Sequence, residues 1–321
     1  MRPIGILTAA AGMMLLALSG HGAASQMART IRIVVPFPAG GSADDLARLL
    51  GDQIGRTRGV NIVIENRPGA GTVVATEAVS RAAPDGNTLL IVANSFVINP
   101  SLKKLNYDPF VSFAPVCHLV SSPLIIAVNS DSPYRSLADL IAAAHAKPGE
   151  LTLASVAPAT TQHIAFEMFK RVAAVNMIHV PYPGGAPAVT ALLGGHVTAV
   201  IANYSEVEAH LAAGKLRPLA TASRKRIQAA PDVPTVAESG YPNYESEVWF
   251  GLVAPAKTPA ETISQLSGWF GAALETAAVK EKLQLQEMYP VGACGADFAA
   301  HLRSQFDVYA RVIREADIKA E

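Results

Sequence analysis

From about Thr30 onward, short runs of aliphatic and β-branched residues alternate with stretches whose apolar positions recur every three or four residues. Ile31 to Val35 reads as a buried strand. Ala43 to Ile54 follows as a helix with Leu46, Leu49, Leu50 and Ile54 on one face, and Val60 to Glu65 as the next strand. The pattern then repeats: Thr72 to Ala83 predicts a helix, Pro84-Asp85-Gly86-Asn87 a turn and Thr88 to Ala93 a strand. Alternation of this kind predicts an α/β fold.

Val116 to Val128 and Glu247 to Ala254 are extended, apolar runs that bracket a block with its own alternation. Within it, Leu151 to Ser155, Ile178 to Val180, Thr198 to Ala202 and Arg217 to Thr221 read as strands. Helices are predicted near Leu137 to Ala146, Thr161 to Ala173, Ala186 to Leu193 and Glu206 to Ala213. The two bracketing runs are expected to cross between lobes, with residues 25–128 plus 249–321 forming lobe 1 and residues 129–248 inserted as lobe 2. Two helical stretches, Ala260 to Leu285 and Ala296 to Glu315, complete lobe 1.

The N-terminus changes the expected compartment. Arg2 precedes an apolar run from Ile4 to Leu18, and Gly22, Ala23 and Ala24 offer small residues for cleavage, so residues 1–24 are read as a signal peptide. The run, about 15 residues, is short of the ~20 that span a bilayer. No cysteine stands at the expected cleavage site, which points to a soluble periplasmic protein. Basic and acidic residues number 26 each, and this balance excludes the basic excess a nucleic-acid partner requires. Cys117 and Cys294 are the only cysteines; an oxidising compartment permits a bridge, and two buried thiols fit the sequence equally well.

Candidate chemistry sits in loops between strands and helices. Pro36-Phe37-Pro38-Ala39-Gly40-Gly41-Ser42 follows a strand and opens a helix, so its backbone N–H groups and the helix dipole suit a carboxylate. Ser42 with Asp45 three positions on is also an ordinary helix start. Ser155 to His163 joins a strand to a helix with several hydroxyls, and Thr160 or Thr161 serves as a cap or as a ligand contact. Tyr182-Pro183-Gly184-Gly185-Ala186-Pro187 exposes backbone donors before a helix, and Asn203-Tyr204 follows a strand. Gly69-Ala70-Gly71 is a weak dinucleotide signal, because Val74 occupies the third glycine position. HExxH, GxSxG and a phosphate-binding Gly-Lys-Ser/Thr loop are all absent from the sequence.

Several segments together resemble the substrate-binding proteins of tripartite tricarboxylate transporters, the Bug family of periplasmic receptors. They are Ile33-Val34-Val35-Pro36-Phe37-Pro38-Ala39-Gly40-Gly41, Glu65-Asn66-Arg67-Pro68-Gly69-Ala70-Gly71, Ala83-Pro84-Asp85-Gly86, His179-Val180-Pro181-Tyr182, Ala213-Gly214-Lys215-Leu216-Arg217 and Pro231-Asp232-Val233-Pro234-Thr235. The resemblance covers essentially the whole chain after residue 24. It implies a two-lobed periplasmic-binding-protein-like clamshell, with a mixed sheet in each lobe, crossing strands between lobes, and the ligand held between the facing loops. Carried over by position, it implies ligand contacts at Phe37, Ala39, Gly40, Gly41, Ser42 and Asp44, at Ser95, and in lobe 2 at Ser155, Thr160, Thr161, Gly184, Gly185 and Asn203.

Two departures bear on the ligand. Ala154-Ser155-Val156-Ala157-Pro158-Ala159 is stiffer and less polar than the Gly/Ser-rich stretch usual in relatives, and Ala202 stands where an Asp is common. A highly charged tricarboxylate is therefore disfavoured against a monocarboxylate, an aromatic acid or a less polar diacid. The expected partners are a small organic carboxylate and membrane transporter subunits, with the chain acting as a monomer and needing neither cofactor nor metal. An exported enzyme using the same cleft, or a sensor for a membrane signalling partner, is the competing reading.

Overall fold

The computed structural model describes residues 29–319, so the expected signal peptide, residues 1–24, lies outside the described residues. β1 (Thr30–Val35) leads into α1 (Ser42–Arg58); β2 (Asn61–Asn66) into a 3-10 turn (Ala70–Thr72) and α2 (Val73–Ser80); and β3 (Thr88–Ala93) into α3 (Ser95–Leu102). The long β4 (Phe113–Asn129) precedes α4 (Leu137–Ala146), β5 (Thr152–Val156), α5 (Thr161–Val172), β6 (Ile178–Tyr182) and α6 (Gly185–Leu193). Then come β7 (Ala199–Asn203), α7 (Tyr204–Ala212) and β8 (Leu216–Thr221). The chain closes with β9 (Glu247–Pro255), α8 (Ala260–Glu275), α9 (Ala277–Leu285), β10 (Tyr289–Cys294) and α10 (Ala296–Glu315).

The alternating pattern seen in the sequence is therefore present, with local differences. The helix expected over Thr72 to Ala83 begins as a tight turn, because Gly71 is left-handed at φ 62°. A methyl there would lie 2.6 Å from the Pro158 carbonyl oxygen, so the Gly-Ala-Gly segment serves a close backbone approach. The stretch Ala260 to Leu285 divides at Thr276, whose backbone turns extended at ψ 139° and whose hydroxyl donates to Ala273 O.

The strands run in the order β2-β1-β3-β9-β4-β7-β5-β6, with β8 and β10 also pairing with β4. β1 is parallel to β2 and β3, and β5 is parallel to β6 and β7; the central β3–β9, β9–β4 and β4–β7 pairs are antiparallel. β4 is shared between two halves. Phe113 to Pro123 pairs with β9, and Leu124 to Asn129 pairs with β7 and β8. The changeover falls at Pro123, a residue with no N–H to give to a ladder. β4 therefore crosses between the halves of a mixed sheet, as expected of Val116 to Val128, whereas β9 pairs only with β3 and the first part of β4.

A large apolar cluster runs through both halves, from Ile33, Leu46 and Leu50 to Phe166, Phe169 and Tyr244. A second joins α3 and α10 to the sheet through Phe96, Phe113, Phe298 and Tyr309. Phe298 packs onto Gly251, in the space a side chain on β9 would otherwise take; burying such a ring is worth roughly 2–3 kcal/mol. Cys117 on β4 and Cys294 on β10 are register partners and form a disulfide, which decides between the two states left open by the sequence. Among the described residues, no helix is long and apolar enough to cross a membrane.

Candidate binding site

β1, β3, β5, β6 and β7 all end at one cleft lined by the strand-to-helix loops. In open α/β sheets the crevice beyond the carboxyl ends of parallel strands is where ligands collect, because helices begin there with unpaired N–H groups. The N-termini of α1, α5, α6 and α7 all reach this cavity. Phe37, Ala93, Val156, Val248 and Phe250 give it an apolar wall.

The loop before α1 is held from behind. Gly40, left-handed at φ 77°, gives its N–H to the Asp44 carboxylate at 2.9 Å. Asp44 also accepts from Arg48 Nε at 2.9 Å and Asn66 Nδ2 at 3.0 Å, and Asn66 donates to Phe37 O at 3.2 Å. Burial opposes ionisation of Asp44, but the hydrogen bonds from Arg48, Gly40 and Asn66 outweigh it and hold the carboxyl below its ordinary value. Asp44 thus braces the loop.

On the other side, Thr160 caps α5: its Oγ1 accepts from His163 N at 3.4 Å and donates to Ala157 O at 2.8 Å. Gln162 Nε2 donates to Asn203 Oδ1 at 3.2 Å, and Asn203 Nδ2 donates to Ser42 Oγ at 2.8 Å. Ser42 Oγ also meets Ser205 Oγ at 2.7 Å. Gln162, Asn203, Ser42 and Ser205 therefore form one polar chain between the N-termini of α5, α7 and α1.

Phe37, Gly41, Ser42, Ser95, Thr160, Thr161, Gly184, Gly185 and Asn203 line the cavity together. The other expected positions stand outside the lining. Ala39 and Gly40 are exposed, Asp44 faces Arg48 and Asn66, and the buried Ser155 hydroxyl meets His179 Nε2 at 2.6 Å and donates to Val156 O at 2.9 Å. Burial, then the nearby His163 and Lys170, lower the His179 pKa to about 4, keeping the ring neutral. Sequence reading left out Gln162, Glu206, Val248 and Phe250, which also line the cavity. The Asn203-to-Glu206 spacing signals a capping box, which the structure contains, but says nothing of what else the carboxylate faces. Among the described residues, no Lys, Arg or His stands in the lining, and Glu206 is its one ionisable side chain. Among the described residues, no group of three or more His, Cys, Asp or Glu side chains is placed to hold a metal ion.

Residues 46–318 match the tripartite tricarboxylate transporter family receptor. The chain belongs to this family. The receptor is 36% identical to protein BugT of Bordetella pertussis over 321 residues, 98% of this chain and 97% of BugT. Its fold superposes on the periplasmic binding protein BugD with a TM-score of 0.88 at 30% identity, over 91% of this chain and 99% of BugD. An R. palustris protein solved with adipate gives a TM-score of 0.88 at 33% identity, over 91% of this chain and 98% of that one. The receptor therefore has the periplasmic-binding-protein-like α/β fold, and its family role is to bind a solute for transport, which separates it from the enzyme reading.

Proposed function

We propose that the receptor captures a small organic carboxylate between lobe 1, residues 25–128 plus 249–321, and lobe 2, residues 129–248, and delivers it to its membrane transporter. The observation that carries this reading is the convergence of four helix N-termini on a cleft that, among the described residues, has no basic side chain. Such a site attracts an anion through backbone N–H groups and hydroxyls. The R. palustris relative solved with adipate supports the ligand class. Export through residues 1–24 would bring the chain, as a monomer, to the periplasm where BugD is found. The ligand contacts in this reading are the cavity-lining members of the expected set, with Ala39, Gly40, Asp44 and Ser155 acting from behind the wall.

Closure follows from differential affinity: a ligand favours the closed form only through contacts that form there. Lobe 2 offers the Thr161 hydroxyl and the first-turn N–H groups of α5, which Thr160 holds in place as the cap. The double variant Thr160→Ala/Thr161→Ala is expected to lose about 30-fold in affinity, near 2 kcal/mol for the Thr161 hydrogen bond to a charged carboxylate. Calorimetry reads this, and the melting temperature of the free protein separates it from the ~1 kcal/mol cost of the lost cap. Unchanged affinity in a folded double variant contradicts closure on α5.

A further inference from the structure

Among the described residues, Glu206 is the one acidic side chain in the cavity wall, and its carboxylate lies where the helix N-termini meet. Oε2 accepts from Asn203 N at 3.0 Å, which caps α7. Oε1 faces α1, 3.5 Å from Ser42 N, and a methyl at Gly41 would lie 3.4 Å from the same oxygen. α1 has no cap of its own, because its N-cap residue is Gly41. The carboxylate also rests on the first residue of α6: a methyl at Gly185 would overlap both oxygens and Cδ. A carboxylate from α7 thus occupies the meeting point of the α1, α6 and α7 N-termini, whereas α5 is capped only by Thr160.

We infer that Glu206 is a specificity-determining residue: it fills one anion seat with the chain's own carboxylate, so the cleft selects a ligand with one carboxylate and, at its other end, a cationic or hydrogen-bond-donating group. The inference rests on the carboxylate-receptor reading and deepens it. The ligand carboxylate is left the α5 N-terminus, with Thr161 and Gln162. Its far end meets Glu206. A second ligand carboxylate there would face a like charge in an enclosed space, which opposes its binding.

Protonation offers an independent handle. Burial raises the Glu206 pKa to about 7, against the hydrogen bonds from Asn203 and Ser42 and with a further push from Asp45. The charged groups facing it from α1 are Asp45 and the paired Asp44 and Arg48; α6 and β7 carry none, and α7 adds Glu208 and His210. As pH falls from 8 to 6, Glu206 gains a proton and the repulsion of a second carboxylate is relieved.

The test uses matched pairs: succinate with 4-aminobutanoate, glutarate with 5-aminopentanoate, and adipate with 6-aminohexanoate. Each pair differs in the group at one end, carboxylate against ammonium. Calorimetry on the unmodified protein at pH 8 is expected to show the amino acid of the best-fitting pair bound tighter by about tenfold or more, and Glu206→Gln to shrink that ratio at least tenfold. In the unmodified protein, dicarboxylate affinity is expected to rise between pH 8 and pH 6, and in Glu206→Gln to stay flat. Equal affinities within a pair, or a ratio that Glu206→Gln leaves unmoved, overturn the inference while the carboxylate reading stands. Failure of every probe to bind either protein overturns the inference, and the carboxylate reading falls with it if monocarboxylates and aromatic acids also fail to bind.

Discussion

Gly184→Val is expected to weaken ligand binding by about 30-fold, the affinity equivalent of ~2 kcal/mol of overpacking, with little change in the melting temperature of the free protein. Gly184 is the N-cap residue of α6 and is extended, at φ −172° and ψ 173°, so a side chain there causes no backbone strain. What it meets is the other side of the cleft. A methyl at 184 would lie 2.8 Å from Pro38 Cδ and 3.1 Å from Pro38 Cγ. Pro38 is a closed ring and has no alternative rotamer to retreat into, so the added bulk acts as a wedge between the loop before α1 and the start of α6. In the closure proposed above, an open form with the two loops apart would lack this contact and bear no cost. The fraction of closed protein falls, and apparent affinity falls with it. Titration calorimetry beside a thermal melt separates the two quantities. Affinity within twofold of the unmodified protein would mean that the lobes do not approach at Pro38 and Gly184 when ligand binds.

The Cys117–Cys294 bridge carries the second large effect, and here stability changes while affinity does not. The cysteines are 177 residues apart, so the bond closes a long loop in the unfolded chain. Removing it through Cys117→Ser/Cys294→Ser is expected to cost about 3 kcal/mol, a fall of roughly 5–10 °C in melting temperature for a chain of this size. The bridge joins β4 to β10, and neither cysteine lines the cavity. Ligand affinity is therefore expected to persist in the double serine variant at temperatures where it is folded. A melting temperature unmoved by removal of the bridge would show that the β4–β10 pairing constrains the chain without it.

The parts of this molecule legible in its sequence are those governed by neighbours along the chain. β1, the loop from Pro36 to Gly41 and α1 were readable because a buried apolar run, two glycines and an amphipathic period follow one another directly. β10 was not: Tyr289 to Gly292 are exposed, Pro290 and Gly292 interrupt it, and its order comes from pairing with β4. α3 escaped because Ser95 to Asn99 are all buried and Pro100 stands inside it, so neither polar face nor clean ending is visible. The same divide runs through the site. Gly41, Thr160 and Gly184 belong to local strand-to-helix junctions, whereas Glu206 reaches Ser42 across 164 positions and Phe250 lies on a strand defined by its partners β3 and β4. Asp44 shows the converse: its place in the motif was visible, and only the structure shows it turned toward Arg48 and Asn66.

The central claim is that the cleft recognises a carboxylate through helix N-termini. The most direct test is a thermal-shift screen of residues 25–321 against mono-, di- and tricarboxylates, aromatic acids and the corresponding uncharged amides, with calorimetry on each hit. At a hundredfold excess over the dissociation constant, one-site binding adds about 2.7 kcal/mol to the folded state. The account predicts a selective rise for one carboxylate, none for its amide, and recovery of the acid unchanged. An amide that binds as well as its acid, or no response to any carboxylate from folded protein free of co-purified ligand, would contradict it.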